Sequence, residues 1–258
     1  EIGQEDLTGR AVRGFQLAER NGSGGFGVVY RAVQPSVQRD VAVKIILPRY
    51  ANHPSFIRRF EAEAHLVARL EHPHIVPLYD YWREPGAAYL IMRLLSTNLA
   101  TRLQSGALPL AVVGRIARQL GQALAVAHAQ GVLHQDIKPA NILLDELENA
   151  YLADFGIAKN LSFAEGPNLT QEERLISSPA YVSPEQIQDE PVRPSSDIYS
   201  FGLLLFEMLT GRLPFAAESH TAMALKHLHT PPPLVTEFNP GIPPQLAHII
   251  NKLLAKEP

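Results

Sequence analysis

A chain of 258 residues with 46% apolar and 19% charged residues is long enough to bury a sizeable core and too hydrophobic to remain disordered. A formal net charge of -3 excludes a general electrostatic attraction to nucleic acid or acidic membranes, so any anionic ligand has to be held by a local site. The absence of cysteine excludes disulfides, thiolate metal sites and a cysteine nucleophile.

No apolar run approaches the roughly 20 residues that span a bilayer, and EIGQEDLTGR at the N-terminus lacks a basic-then-apolar leader pattern. A soluble, cytoplasmic chain is expected. It starts at Glu1 and stops at LLAKEP inside a helical pattern, so it reads as a piece of something longer, its C-terminal end truncated and followed by further domains.

Residues 1–14 read as an N-terminal extension. From Phe15 the apolar runs are short and β-like: GVVYRAV (27–33), DVAVKII (40–46), IVPLYDYW (75–82) and AAYLIMR (87–93), separated by Pro, Gly and Asp. One helical segment interrupts them, FIRRFEAEAHLVARL (56–70), with Phe56, Phe60, Val67 and Leu70 at helical spacing. A small sheet with one helix is predicted for 15–95. The remainder, 96–258, turns mostly helical through VVGRIARQLGQALAVAHAQ (112–130) and SSDIYSFGLLLFEMLTG (195–211), with short strands near 132–133, 141–144 and 151–153. The chain crosses between these parts at about Arg93 to Asn98, where a cleft is expected.

Several polar constellations stand on this framework. Gly22, Gly24 and Gly27 follow the G-x-G-x-x-G spacing, with Gly25 beside them. Such a loop lets backbone N–H groups approach a phosphate, although any glycine turn between two strands looks the same. A dinucleotide site requires a helix next, whereas VVYRAV reads as a strand, so a hairpin is predicted. In VAVKII, alternation puts Ala42 and Lys44 on one face and Val41, Val43 and Ile45 on the other. Glu63 lies on the apolar stripe of the 56–70 helix and Glu61 lies off it. An inward carboxylate needs a partner, and Lys44 is the candidate.

In VLHQDIKPANILL, Asp136, Lys138 and Asn141 sit on one loop framed by aliphatics. A hydroxyl nucleophile needs a proton acceptor, a transferring phosphoryl needs a cation and a divalent metal needs oxygen ligands; these three side chains supply all of them. Asp154 of YLADFGIAK ends a short strand before Gly156, where an acid can bind a metal that bridges phosphates. The bland reading of each segment is a polar turn; the occurrence of all of them in this order carries the specificity.

Together these motifs resemble a eukaryotic-type Ser/Thr protein kinase catalytic domain of the bacterial kind, from about Phe15 to the end. The resemblance implies a bilobal α+β fold, with a small antiparallel sheet lobe carrying one helix and a larger helical lobe. It implies transfer of the γ-phosphoryl group of ATP, with Mg2+, to Ser or Thr of a protein substrate, autophosphorylation included; nucleic acid is not implied as a partner. By the same resemblance Gly22, Ser23, Gly24, Gly25, Phe26 and Gly27 cover the phosphates. Lys44 pairs with Glu63 and the α/β-phosphates, Asp136 takes the hydroxyl proton, and Lys138 steadies the γ-phosphate. Asn141 and Asp154 hold the metal. Val29, Ala42 and Leu143 enclose adenine, with Met92 as gatekeeper and Arg93 to Leu95 as hinge. Asp197 resembles the helix aspartate that anchors the catalytic loop. Glu185 of SPEQ matches a glutamate that pairs with an arginine beyond the LLxKxP pattern, and is expected to be unpaired here.

The chain departs from the family at Gln135, where an Arg usually receives an activation-segment phosphate; Thr170, Ser177 and Ser178 are the candidate phosphosites. Asn21 replaces an aliphatic residue over adenine, and the hinge is about one residue short, which bears on ribose contacts near Ser96 to Asn98. These departures favour the alternative reading, a pseudokinase acting as a nucleotide-binding or scaffolding module. A small-molecule phosphotransferase fits less well with Lys138, DFG and SPE. His72 with His74, and His227 with His229, are two apart and do not form a helical metal pair. Asn168 to Thr170 spells a glycosylation sequon without consequence in the cytoplasm.

Overall fold

The computed structural model describes residues 6–24, 27–155 and 179–257. Among them the chain divides into two compact units, the first ending at Ser96 and the second beginning at Thr97. Gly25, Phe26, Gly156, Asn168, Thr170, Ser177 and Ser178 of the sequence reading lie outside the described residues.

The first unit is a six-stranded sheet of β1 (Ala11–Val12), β2 (Phe15–Gly24), β3 (Gly27–Gln34), β4 (Arg39–Ile46), β5 (Leu78–Glu84) and β6 (Ala87–Arg93), in the order β1-β2-β3-β4-β6-β5 with every pair antiparallel. Valine, isoleucine and aromatic residues at alternate positions give each strand a buried side. On one face Val41, Val43 and Ile45 join Leu17, Tyr30 and Trp82 in a core. On the other, Ile46, Ala88 and Leu90 meet Phe56, Phe60 and Ala64 of the Pro54–Ala68 helix. That helix begins two residues before the predicted segment because Pro54 occupies its first turn, where a missing N–H costs nothing. β5 begins at Leu78 rather than at Ile75, since Pro77 cannot donate to the ladder. The chain before Phe15 contributes to this unit: β1 pairs with β2, and Leu7 is buried with its N–H donating to the Tyr30 hydroxyl at 3.1 Å.

The second unit is mostly helical, with one small antiparallel sheet of β7 (Thr97–Asn98), β8 (Ile142–Leu144) and β9 (Ala150–Leu152). Its long helices are Leu110–Ala129 and Pro194–Thr210. The latter is apolar nearly all round and correspondingly buried, from Ser196 and Asp197 through Phe206 to Leu209. Gly211, at φ 71°, ends it in the left-handed conformation. The Pro244–Leu253 helix packs against it at Gly202, where an added Cβ would lie 2.9 Å from that of Leu253.

The strand expected near 132–133 does not form. Val132 N–H instead donates to Ala127 O at 2.9 Å and closes the end of the Leu110–Ala129 helix. Shorter helices without a long apolar period also escaped the sequence reading, among them Leu99–Leu103, Pro184–Ile187 and His220–His229. No helix among the described residues is long and apolar enough to cross a membrane.

Candidate active site

The sheet unit carries a glycine hairpin and cross-strand rows of side chains. β2 and β3 pair as Gly22 with Val29, Ser23 with Val28 and Gly24 with Gly27, so the glycines form a hairpin and no helix follows them. Gly27 has a second reason to lack a side chain: a Cβ there would stand 2.4 Å from the backbone oxygen of Ile45 on β4. The next strand pairs place Val29, Lys44 and Leu90 in one cross-strand row, and Arg31, Ala42 and Met92 in another. Paired residues share a face, and Leu90 and Met92 pack with the helix-side cluster, so Lys44 and Ala42 face the helix side of the sheet. Lys44 is half-buried there.

Glu63 stands three residues after Phe60 and four before Val67, on the face that the Pro54–Ala68 helix turns to the sheet. It is half-buried with its Oε2 shielded from solvent, whereas Glu61 is exposed. Arg93 ends β6 and Leu95 follows it, both half-buried.

The second unit carries the polar loop. Asp197, 1% exposed, accepts from His134 N–H at 2.8 Å, from Gln135 N–H at 2.7 Å and from His128 Nε2 at 2.7 Å. One buried carboxylate therefore fixes two successive backbone amides of the loop, and Gln135 is held at φ 63° in the left-handed region. His134 is wholly buried. Its Nδ1 accepts from Asp136 N–H at 3.2 Å, so the proton is on Nε2, which donates to Ala153 O at 2.8 Å. Burial holds this imidazole below its usual pKa, outweighing the opposing pull of Asp197, Asp136 and Asp154. The ring lies 4.7 Å from that of Phe155, and Ala153 N–H donates to Asn141 O at 2.9 Å, so residues 134–141 and 153–155 are laced together.

Within this loop Asp136 is gripped by both of its predicted companions. Lys138 Nζ lies 2.8 Å from Asp136 Oδ2, and the side chains are only 18% and 14% exposed. Asn141 Nδ2 donates to the same Oδ2 at 2.9 Å and to Asp136 O at 2.8 Å. With its amide nitrogen so committed, the side-chain oxygen of Asn141 is the acceptor it can offer to another group. Asp154 follows β9 at φ 58°, a strained conformation for a residue with a Cβ. Leu143 is half-buried in β8 between the buried Ile142 and Leu144.

Sequence reasoning overlooked other parts of this unit. The resemblance left Glu185 without a partner, yet the Ser196 hydroxyl donates to Glu185 Oε1. That hydroxyl comes from the first turn of the neighbouring helix. His128, in the last turn of its helix, and Gln186, whose amide reaches Gln135 O at 3.1 Å, were also missed. Gln186 was findable: Ser183 and Gln186 have the S-x-x-Q spacing of a capping box. The histidine pairs serve locally, His72 Nδ1 accepting from His74 N–H at 3.2 Å and His227 Nδ1 engaging the Tyr199 hydroxyl at 3.0 Å.

Residues 15–258 match the family model of the protein kinase domain. The chain is 39% identical over 255 residues to the serine/threonine-protein kinase PrkC of Bacillus subtilis, covering 98% of this chain and 39% of that protein. It is 40% identical over 247 residues to PknD of Mycobacterium tuberculosis, covering 95% of this chain and 37% of that protein. With PknA of the same organism the identity is 35% over 259 residues, covering 98% and 58%. The chain thus spans between 37% and 58% of the length of these relatives. Among solved structures it is similar to the Mycobacterium tuberculosis PknI kinase domain, with a TM-score of 0.77 and 26% identity, covering 98% of this chain and 92% of that one. Matched along nearly its whole length in sequence and in fold, the chain belongs to the protein kinase domain family.

Proposed function

We propose that this domain is an active serine/threonine protein kinase that transfers the γ-phosphoryl group of ATP to protein hydroxyls. The observation that carries the reading is the held Asp136: a carboxylate 14% exposed, with Lys138 at 2.8 Å and Asn141 at 2.9 Å, on a loop pinned by Asp197. The names of the relatives, serine/threonine-protein kinases at 35 to 40% identity, support the same substrate class.

In this account Asp136 orients the attacking Ser or Thr hydroxyl and accepts its proton as the new P–O bond forms. Lys138, already beside Asp136, places an ammonium where negative charge develops on the transferring group. Lys44 clamps the α/β-phosphates and Glu63 holds Lys44. The glycine hairpin, residues 22–27, covers the phosphates with backbone N–H groups. By the family resemblance Val29, Ala42 and Leu143 are the adenine-contacting residues, Met92 is the gatekeeper and Arg93 to Leu95 are the hinge. The side-chain oxygen of Asn141 and the carboxylate of Asp154 are hard oxygen donors of the kind Mg2+ takes beside phosphates. When bound there, Mg2+ screens the charge of the phosphates.

Autophosphorylation on Thr170, Ser177 or Ser178 belongs to the same proposal, as does a cytoplasmic location. Gln135 in place of Arg removes the usual receiver of such a phosphate, so the rate depends little on it. The test is incubation with labelled ATP, Mg2+ and a generic protein acceptor, followed by phosphoamino-acid analysis. Label on Ser or Thr, abolished by EDTA and by Lys44→Met, is expected. Nucleotide binding without label transfer would favour the pseudokinase reading instead.

A further inference from the structure

The peptide group joining Gln135 to Asp136 is held at both edges. Its N–H, that of Asp136, donates to His134 Nδ1 at 3.2 Å. Its oxygen, that of Gln135, accepts from Gln186 Nε2 at 3.1 Å. A peptide unit is planar, so two bonds on opposite edges fix its rotation, and with it the direction in which Asp136 leaves the chain. Gln135 has φ 63°, a left-handed conformation that a residue with a Cβ keeps only where the surroundings impose it.

Gln186 is 8% exposed and sits in the Pro184–Ile187 helix, directly after Glu185 of the SPE segment. Its oxygen is occupied by Ser183, whose N–H donates at 3.1 Å and whose hydroxyl donates at 3.2 Å; Ser183 is itself fully buried. The side chain must therefore accept on one atom and donate on the other, which an amide of this length does at every pH. The oxygen edge calls for a contact from a donor, whereas Asp197 and His134 Nδ1 accept from the N–H groups of this loop. Gln186 supplies that contact, from the segment that follows residue 178.

We infer that Gln186 is a positioning residue for catalysis: its amide clamps the Gln135–Asp136 peptide and so aims the Asp136 carboxylate, coupling the SPEQ segment to the proton acceptor. This inference rests on the reading of Asp136 given above.

The discriminating variant is Gln186→Glu. Ionised, it still accepts from Ser183 but has no proton for Gln135 O and sets a negative oxygen against it. Protonated, it regains the donor. Among the described residues, the ionisable groups on the elements meeting here are His134, Asp136 and Lys138 of the loop, Glu185 beside Gln186, Asp197, Tyr199 and Glu207 of the Pro194–Thr210 helix, and His220, Lys226, His227 and His229 of the His220–His229 helix; burial and the acids among them push the new carboxyl's titration upward, and the cations oppose it.

The experiment measures kcat, KM for ATP and melting temperature for the wild type, Gln186→Glu, Gln186→Met and Asp136→Asn between pH 6 and 8. The expected result is a kcat for Gln186→Glu that is about 10- to 100-fold below wild type at pH 8, the scale of a misplacement near 1 Å. KM for ATP stays unchanged, and the deficit shrinks toward pH 6. Gln186→Met, uncharged and of similar length, loses kcat to the same extent at every pH, and its contrast with the pH-dependent recovery of Gln186→Glu at unchanged KM is a pattern that a purely structural role does not produce. It carries the test if the Glu variant does not fold at pH 8. A wild-type kcat in a folded Gln186→Glu or Gln186→Met protein, with Asp136→Asn inactive, overturns the inference. Activity retained by Asp136→Asn would instead overturn the assignment of the proton acceptor.

Discussion

Asp197→Asn is the sharpest structural perturbation, because one buried side chain serves three donors. Asp197 is 1% exposed and accepts from His134 N–H, Gln135 N–H and His128 Nε2 at 2.7 to 2.8 Å. The amide keeps one oxygen, which can still serve Gln135 N–H on the Oδ1 side. On the Oδ2 side it presents an NH2 group to another N–H, leaving the His134 amide buried without an acceptor. An unsatisfied buried donor costs about 1 to 3 kcal/mol. Losing charge assistance on the surviving bond adds about 1 kcal/mol, since bonds to charged groups are roughly twice as strong as neutral ones. His128 can change tautomer and is not counted. The expected loss is about 2 to 4 kcal/mol, a large share of the roughly 5 to 15 kcal/mol that stabilises a domain. Urea unfolding of wild type and variant at pH 7.5 measures it, with phosphotransfer followed in parallel because the freed loop carries Asp136. A loss under about 0.5 kcal/mol would show that the three contacts are not made together and would refute the reasoning.

Other consequences are equally specific. His227 is fully buried and its pKa is pushed down to about 4 by desolvation, with Lys256 acting the same way. The unfolded chain therefore takes up a proton near pH 6.5 that the folded one refuses, and stability present above that pH is lost as pH falls toward 4. About 2 kcal/mol should disappear between pH 7.5 and 5, and urea midpoints should show that His227→Gln loses distinctly less. Gly202→Ala should lower the melting temperature despite better helix propensity, because its Cβ meets Leu253 at 2.9 Å, whereas Gly114→Ala, with open space, should raise it. Gly27→Ala forces β3 away from Ile45 O, 2.4 Å from the new Cβ. Calorimetric titration should then show ATP affinity lowered about tenfold or more, equivalent to about 1.4 kcal/mol.

What the sequence made legible follows from which constraints are local. The alternation in VAVKII separated Val41, Val43 and Ile45 from Lys44, and the two faces of β4 keep that division. The helical stripe through Phe56 and Phe60 singled out Glu63 over Glu61, and their exposures differ in that sense. Asp136, Lys138 and Asn141, within six positions of one another, form a cluster that their spacing alone suggested. Long-range polar contacts had no such signal. The Glu185 to Ser196 bond spans eleven residues, the Gln186 to Gln135 contact fifty-one, and the His128 to Asp197 contact sixty-nine. No periodicity encodes contacts of that kind, because each joins single side chains from different elements. Pro77 and the end of the Leu110–Ala129 helix moved boundaries through individual backbone hydrogen bonds, which composition does not register.

The central claim is that Asp136 accepts the proton of a Ser or Thr hydroxyl during phosphoryl transfer. Its most direct test is the steady-state rate of transfer from MgATP to a Ser/Thr protein acceptor for wild type and Asp136→Asn, purified free of contaminating kinase, with nucleotide affinity titrated on the same samples. The account predicts a rate lower by about 10² to 10⁴ with ATP affinity unchanged, the range that general-base assistance supplies. A wild-type rate in Asp136→Asn would contradict it.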